Sequence, residues 1–208
     1  MKPLKPAQTF DVQFDKSRKL NKPHNDIPDE RILVLLQKER NYERGFRLLM
    51  GKYQERLYWH VRRMVTQHED ANDVIQNCFV KVYRSIHSFQ GKSKLYTWLY
   101  RIATNEAITY LNKRNRKATA SMDDEENNLS NRLHADCYFD GDEAQIRLQQ
   151  AITKLPEKQR LVFNLRYFDE MTYKEMSGVL DTSVGALKAS FHHAVKKVEN
   201  FVRSVETF

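Results

Sequence analysis

The sequence predicts an all-α protein, and three observations carry that prediction. Only 6 glycines and 5 prolines occur in 208 residues, well below the average usage of both. Four of the prolines (Pro3, Pro6, Pro23 and Pro28) fall near the N-terminus, which leaves the rest of the chain almost free of breakers. Beyond them, apolar residues recur at helical spacing in one segment after another. Sandwiches, barrels and Rossmann-type folds need frequent turns and Gly-rich loops, so this composition argues against them.

Residues 1–27 have no sustained apolar period and are punctuated by Pro and Asn, the pattern of a disordered or loosely attached extension. Pro28 fits the first turn of a helix, with Asp29 and Glu30 at its positive end and Ile32, Leu35 and Leu36 starting a stripe. Over 46–65 the stripe is Phe46, Leu49/Met50, Tyr53, Leu57, Val61 and Met64/Val65. Over 70–86 it is Val74, Ile75, Cys78, Phe79, Val82, Tyr83 and Ile86, with Asp73, Gln76, Asn77 and Lys81 opposite. Over 94–113, Leu95, Leu99, Ile102/Ala103, Ala107 and Leu111 give the buried line. Tyr96, Trp98, Arg101, Asn105 and Ile108 stand on other faces, ahead of the basic run Lys113-Arg-Asn-Arg-Lys117. Aromatic and cationic residues interleaved on one helix suit single-stranded nucleic acid, because bases stack on rings while cations follow phosphates. Spacing alone favours the other reading, in which Tyr96, Trp98 and Tyr100 are mostly core.

The net charge of +8 divides unevenly. Residues 28–118 carry +9, residues 119–143 carry −7 and residues 144–208 carry +3, with +3 on the first 27. The acidic stretch holds Asp123-Asp-Glu-Glu-Asn-Asn128 and little helical periodicity. It reads as a flexible, solvated linker between two small domains, or as a plain solvated loop.

Past it, helices are expected over 144–154 and, after Pro156, over 157–168. Thr172-Tyr-Lys-Glu175 is a capping-box sequence. Met176, Val179 and Leu180 then give a short helix its apolar face, and Asp181-Thr-Ser183 makes a turn. In the last helix Val184, Leu187, Phe191, Ala194/Val195 and Val198 face inward. Gly185, Ala186, Lys188, Ala189, His192 and Lys196 face outward. Two short helices, a three-residue turn and a basic outer face describe a helix-turn-helix, and the pattern alone leaves DNA binding and a plain αα-hairpin both open.

No run approaches the roughly 18 apolar residues of a membrane span, and the N-terminus lacks the apolar core of a secretory signal. Cys78 and Cys137 offer no disulfide framework or zinc set, so a reduced, cytoplasmic protein without membrane insertion is expected. No P-loop, paired Gly-rich turn or His-Glu-x-x-His occurs. His192 and His193 are adjacent and point about 100° apart on a helix, unlike a ligand pair on one face. A non-catalytic protein with no cofactor and no metal is the expectation.

Three stretches carry a family resemblance. Asp70-Ala-Asn-Asp-Val-Ile-Gln-Asn-Cys-Phe-Val-Lys-Val-Tyr-Arg84 resembles region 2.2 of bacterial RNA polymerase sigma factors. Tyr96-Thr-Trp-Leu-Tyr-Arg-Ile-Ala-Thr-Asn105, followed by Tyr110-Leu-Asn112, resembles regions 2.3–2.4 of the extracytoplasmic-function (ECF) class of the sigma-70 family. The order Leu155-Pro-Glu-Lys-Gln-Arg160, Leu165-Arg-Tyr-Phe168, Thr172-Tyr-Lys-Glu-Met176, Ser183-Val-Gly-Ala-Leu-Lys188 is similar to region 4 of the same class.

This resemblance implies a non-catalytic specificity subunit that directs core RNA polymerase to promoters, with region 2 over 28–118 and region 4 over 144–208. It implies that Asp70, Asp73, Gln76 and Asn77 dock on the polymerase clamp, while region 4 sits on the flap. Lys92, Lys94, Tyr96, Trp98, Arg101, Asn105, Lys113 and Arg114 would open and hold the −10 element. An unstacked base gains partners only when unpaired, so holding it stabilises the melted state. Ser183, Ala186, Lys188, Ala189, Ser190, His192, His193 and Lys196 would face the −35 element in the major groove. Here Ala189-Ser190 replaces a frequent Ser-Arg and His193 stands where Arg is common, which leaves fewer direct Arg-to-base contacts. The linker would thread toward the polymerase active site, and an anti-sigma partner would cover the DNA-binding faces until a signal releases them. An autonomous helix-turn-helix regulator is the competing reading.

Overall fold

A computed structural model describes residues 27–65, 67–120 and 143–205. Among them are eight α-helices, two 3-10 turns and no strand. The expected N-terminal extension and most of the acidic linker lie outside the described residues.

The first four helices are α1 (Asp29–Leu36), α2 (Tyr42–Val65), α3 (His68–Ser85) and α4 (Leu95–Ala120), with 3-10 turns at Glu39–Asn41 and Ile86–Ser88. Pro28 is the N-cap of α1 and not its first residue: its backbone is extended, and its carbonyl accepts from the Arg31 and Ile32 amides. Pro156 does the same for a later helix, accepting from Arg160 at 2.9 Å. A proline suits this position because its ring fixes φ without removing a bond that the helix would have made. Asp29 has a second task, taking hydrogen bonds from Lys52 Nζ at 2.6 Å and Tyr53 Oη at 2.7 Å, which tie α1 to α2.

The apolar stripes of α2, α3 and α4 meet in one core with Leu49, Leu57, Val61, Ile75, Cys78, Val82, Leu99 and Ala107 fully or almost fully buried. Burial pushes the Cys78 thiol up to about 12, so it behaves as a small apolar group. Tyr83, expected inside, is partly exposed: its ring lies edge-on to Phe46 and Tyr42 at the rim of the core. Gly91, in the loop before α4, has φ +68 and open space around the position of a Cβ. Left-handed backbone, not close approach within the chain, is what glycine supplies there.

The second set is α5 (Glu143–Thr153), α6 (Glu157–Tyr167), α7 (Tyr173–Leu180) and α8 (Val184–Val205). Thr172 and Glu175 form the capping box that starts α7. Asp181 ends α7 with φ 51, the left-handed conformation that a short polar side chain tolerates. The Ala186 amide donates to Ser183 Oγ at 3.3 Å at the start of α8. Ala151, Ile152, Leu155, Phe163, Ala194 and Val198 form a separate small core between α5, α6 and α8. Val184, expected to face inward, is 38% exposed in the first turn of α8.

The two halves also pack on each other. Leu161, Val162, Leu165, Met171, Met176, Val179 and Leu187 join the core of α1–α4, and α7 lies along α4 while α6 touches α2.

Candidate polymerase and nucleic-acid interface

The polar face of α3 is set by the stripe that buries its other side. Asp73, Gln76 and Asn77 are exposed together, with Val80 beside them at 40% exposure. Asp70 is half-buried and accepts from Arg114 Nη1 of α4 at 3.4 Å. Tyr110 also leans on Asp70: burial first, then that carboxylate, pushes its hydroxyl up to about 12. The residue expected to meet polymerase and a cation expected to meet DNA are therefore paired with each other.

Besides Arg114, the seven other expected −10 residues separate into three groups. Trp98, Arg101 and Asn105 follow one another at three- and four-residue spacing, which places them on one face of α4. Arg101 and Asn105 are exposed, and Trp98 is half-buried with its ring 5.4 Å from Phe89 of the preceding loop. Lys92 is exposed in that loop and Lys113 is exposed near the far end of α4. Lys94 and Tyr96 form the third group and face α7. Lys94 Nζ donates to Glu175 Oε1 at 2.9 Å. The Tyr96 hydroxyl is raised by burial and by its hydrogen bond to the same carboxylate. Tyr100 is core at 3% exposure, as its spacing favours.

On α8 the outward face is as the spacing predicts. Ser183, Ala186, Lys188, Ala189, His192, His193 and Lys196 are exposed and Ser190 is half-buried, while Leu187, Ala194 and Val198 are buried beneath them. Lys188 Nζ lies 5.9 Å from the Tyr173 ring centroid. This is an exposed cationic helix face with small side chains.

Two carboxylates, Glu175 and Asp169, make long-range contacts that the sequence did not reveal. Burial alone would raise the Glu175 carboxyl, but hydrogen bonds from Tyr96, Lys94, and the backbone and hydroxyl of Thr172 bring it down to about 2. Asp169 follows α6 with a side chain only 5% exposed. It takes hydrogen bonds from Arg63 Nη2 at 2.6 Å and Tyr100 Oη at 3.3 Å, and it bonds His60 Nδ1 at 3.1 Å. His60 is fully buried, with Nε2 on Thr104 Oγ1 at 2.9 Å. The one available signal was a histidine on the buried stripe of α2, since a buried imidazole must find polar partners. His68 has both ring nitrogens hydrogen-bonded, to Tyr58 Oη at 2.6 Å and Asn72 Nδ2 at 3.0 Å.

Comparisons with known proteins match this division of the chain. The Sigma-70 region 2 family matches residues 49–117 and the Sigma-70, region 4 family matches residues 145–198. The ECF RNA polymerase sigma-E factor of Escherichia coli (strain K12) is 32% identical over 179 residues, covering 82% of this chain and 93% of that protein. The RNA polymerase sigma-H factor of Pseudomonas aeruginosa is 32% identical over 180 residues, covering 77% and 88%. Among solved structures, the sigma factor RpoE bound to the anti-sigma factor NepR from Bartonella quintana superposes with a TM-score of 0.62 at 20% identity, covering 76% of this chain and 96% of that one. CnrH in complex with the cytosolic domain of CnrY gives 0.61 at 19%, covering 85% and 97%. No helix among the described residues is long and apolar enough to cross a membrane. With both signature regions in order and a 32% identical relative covered almost end to end, the chain belongs to the ECF class of the sigma-70 family of RNA polymerase sigma factors.

Proposed function

We propose that this sigma factor divides its work among three faces. The exposed face of α3 (Asp73, Gln76 and Asn77), with Asp70 at its edge, docks on the polymerase clamp. The α4 stripe of Trp98, Arg101 and Asn105, flanked by Lys92, Lys94, Tyr96, Lys113 and Arg114, holds the unpaired −10 strand. The outer face of α8, from Ser183 to Lys196, reads the −35 element. The observation that carries this reading is the α4 stripe itself, where an aromatic ring, a guanidinium and an amide share one face within about 10 Å of helix. Reading by α8 rests more on small side chains, backbone and Lys188 than on arginine, which favours apolar contact to thymine methyls and phosphate anchoring.

A protein partner that restrains the chain is supported by the two solved structures, one a sigma factor bound to the anti-sigma factor NepR and the other CnrH bound to the cytosolic domain of CnrY. The acidic stretch Asp123–Glu126 suits a path through a polymerase channel built for RNA, where negative charge is already accommodated. The chain itself acts as a specificity subunit and performs no catalysis.

Transcription reconstituted with core polymerase tests the reading. Promoter-dependent initiation should require both components, with weak duplex binding by the chain alone. Failure to form a stable complex with core enzyme, or tight sequence-specific binding without it, would overturn the proposal in favour of an autonomous regulator.

A further inference from the structure

The outer face of α8 carries two imidazoles at its centre. His192 and His193 follow Ala189 by three and four residues and precede Lys196 by four and three, so they flank one exposed line along the helix. Their ring centroids lie 6.0 Å apart with the planes at 60°. No side chain among the described residues hydrogen-bonds either ring. His60 and His68 are the contrast, because both ring nitrogens of each are held by protein partners. The charge of His192 and His193 is therefore left to whatever approaches α8 from outside.

The surroundings of the pair are cationic. Lys188, Lys196 and Lys197 are exposed on α8, and the chain has no acidic residue between Asp181 and Glu199. Of the helices packed on α8, α7 brings Tyr173 and the exposed Lys174, while its one acid, Glu175, is engaged by Lys94. Helix α6 brings Arg166 in its last turn, with Glu157 and Lys158 at its other end. Arg166 and Lys188 lie over the Tyr173 ring at 5.5 Å and 5.9 Å. Just past α5, Lys154 lies over Phe201 at 4.2 Å.

Duplex DNA supplies the counter-charge that this face lacks. Imidazole is the side chain whose ordinary titration falls between about pH 5 and pH 8, and an opposite charge within about 4–6 Å favours its charged form. An imidazolium donates from both nitrogens, whereas the neutral ring has one donor and one acceptor. Once protonated, the pair joins Lys188 and Lys196 in a row of cations, with only the methyl of Ala189 between the rings and the first turn.

We propose that binding of the −35 element by α8 is coupled to proton uptake at His192 and His193, so that this face grips the duplex more tightly as pH falls from 8 to 6. The coupling is reciprocal: DNA raises the proton affinity of the pair by the factor by which protons raise its affinity for DNA. Acidification then raises promoter occupancy through the sigma subunit itself, with no change in its amount. The inference rests on the assignment of α8 to the −35 element made above.

The test uses holoenzyme, the full chain bound to core polymerase, and a labelled duplex that this holoenzyme selects at pH 7 from a random-sequence pool. Affinity is measured by competition at pH 6, 7 and 8 and constant ionic strength. The wild type is compared with His192→Gln plus His193→Gln, and with His192→Arg plus His193→Arg. Both rings are exposed, so neither pair of changes touches the core. His60, His87 and the polymerase are common to all three and set one background. The ratio of wild-type to Gln-pair affinity should be near one at pH 8 and about ten at pH 6, within the usual range for coupling between two ligands. The Arg pair should exceed the Gln pair by a factor that does not change with pH. The salt slope of the wild type should be steeper at pH 6 than at pH 8 by about 0.9 for each phosphate neutralised. A ratio to the Gln pair that stays constant with pH, or a salt slope that does not move, overturns the coupling and leaves the sigma activity standing. A selected duplex whose −35 segment can be replaced without loss of affinity overturns the assignment of α8, and a chain that forms no holoenzyme overturns the function beneath it.

Discussion

Asn105 offers an amide on an exposed stripe, whereas affinity for duplex DNA comes mainly from cations neutralising phosphates. Asn105→Ala should therefore reduce promoter opening more than duplex binding, measured by permanganate reactivity against gel shift; equal losses would count against its assigned role. Lys113 is exposed, while Arg114 is held by Asp70. Lys113→Ala should flatten the dependence of log affinity on log salt by about 0.9 for a duplex phosphate, or about 0.7 for a single strand. Arg114→Ala should add a loss of thermal stability, because it also strips Asp70 of its cation. In the core, Leu49 is fully buried, and Leu49→Ala should cost about 2–5 kcal/mol in a denaturant titration.

At the scale of elements, much was legible because the signals were local. The stripes of α2, α3 and α4 appear where the period places them, and the Thr172–Glu175 box needs only three residues of context. Thr172→Ala should cost about 1 kcal/mol of region-4 stability by thermal melting, through the lost cap. Asp181→Gly should gain up to about 1 kcal/mol, since glycine takes positive φ without a Cβ penalty. What sequence reading missed was long-range. His60 and Asp169 meet across 109 positions, and Lys94 and Glu175 across 81. Nothing in either local pattern points to the other, and Glu175 already had a complete local explanation as a cap. Gly178 looked like a pure loss to its helix until Thr97 was seen against it.

For the whole molecule, two helical units with separate tasks share a buried seam, and that seam has a pH signature. Glu175 faces Lys94 and Tyr96 from α4 and Thr172 from its own cap, and its carboxyl is brought down to about 2. A carboxylate lowered on folding contributes stability that is full above its unfolded value and lost as pH falls through the folded one. The contribution should be constant at neutral pH and disappear between about pH 4.5 and pH 2. Melting temperature followed across that window should fall less steeply for Glu175→Gln than for the wild type. An equal slope in both would remove Glu175 as the source.

Helix α4 runs unbroken for 26 residues, about 39 Å at 1.5 Å per residue. An uninterrupted rod fixes phase as well as distance: every side chain along it holds a set angle and height relative to every other. One extra residue between Arg101 and Asn105 would leave both flanks helical, yet swing the amide by about 100° around the axis. The stripe would be broken in register with no residue removed, so strand capture by α4 should tolerate a conservative substitution more readily than a change in count.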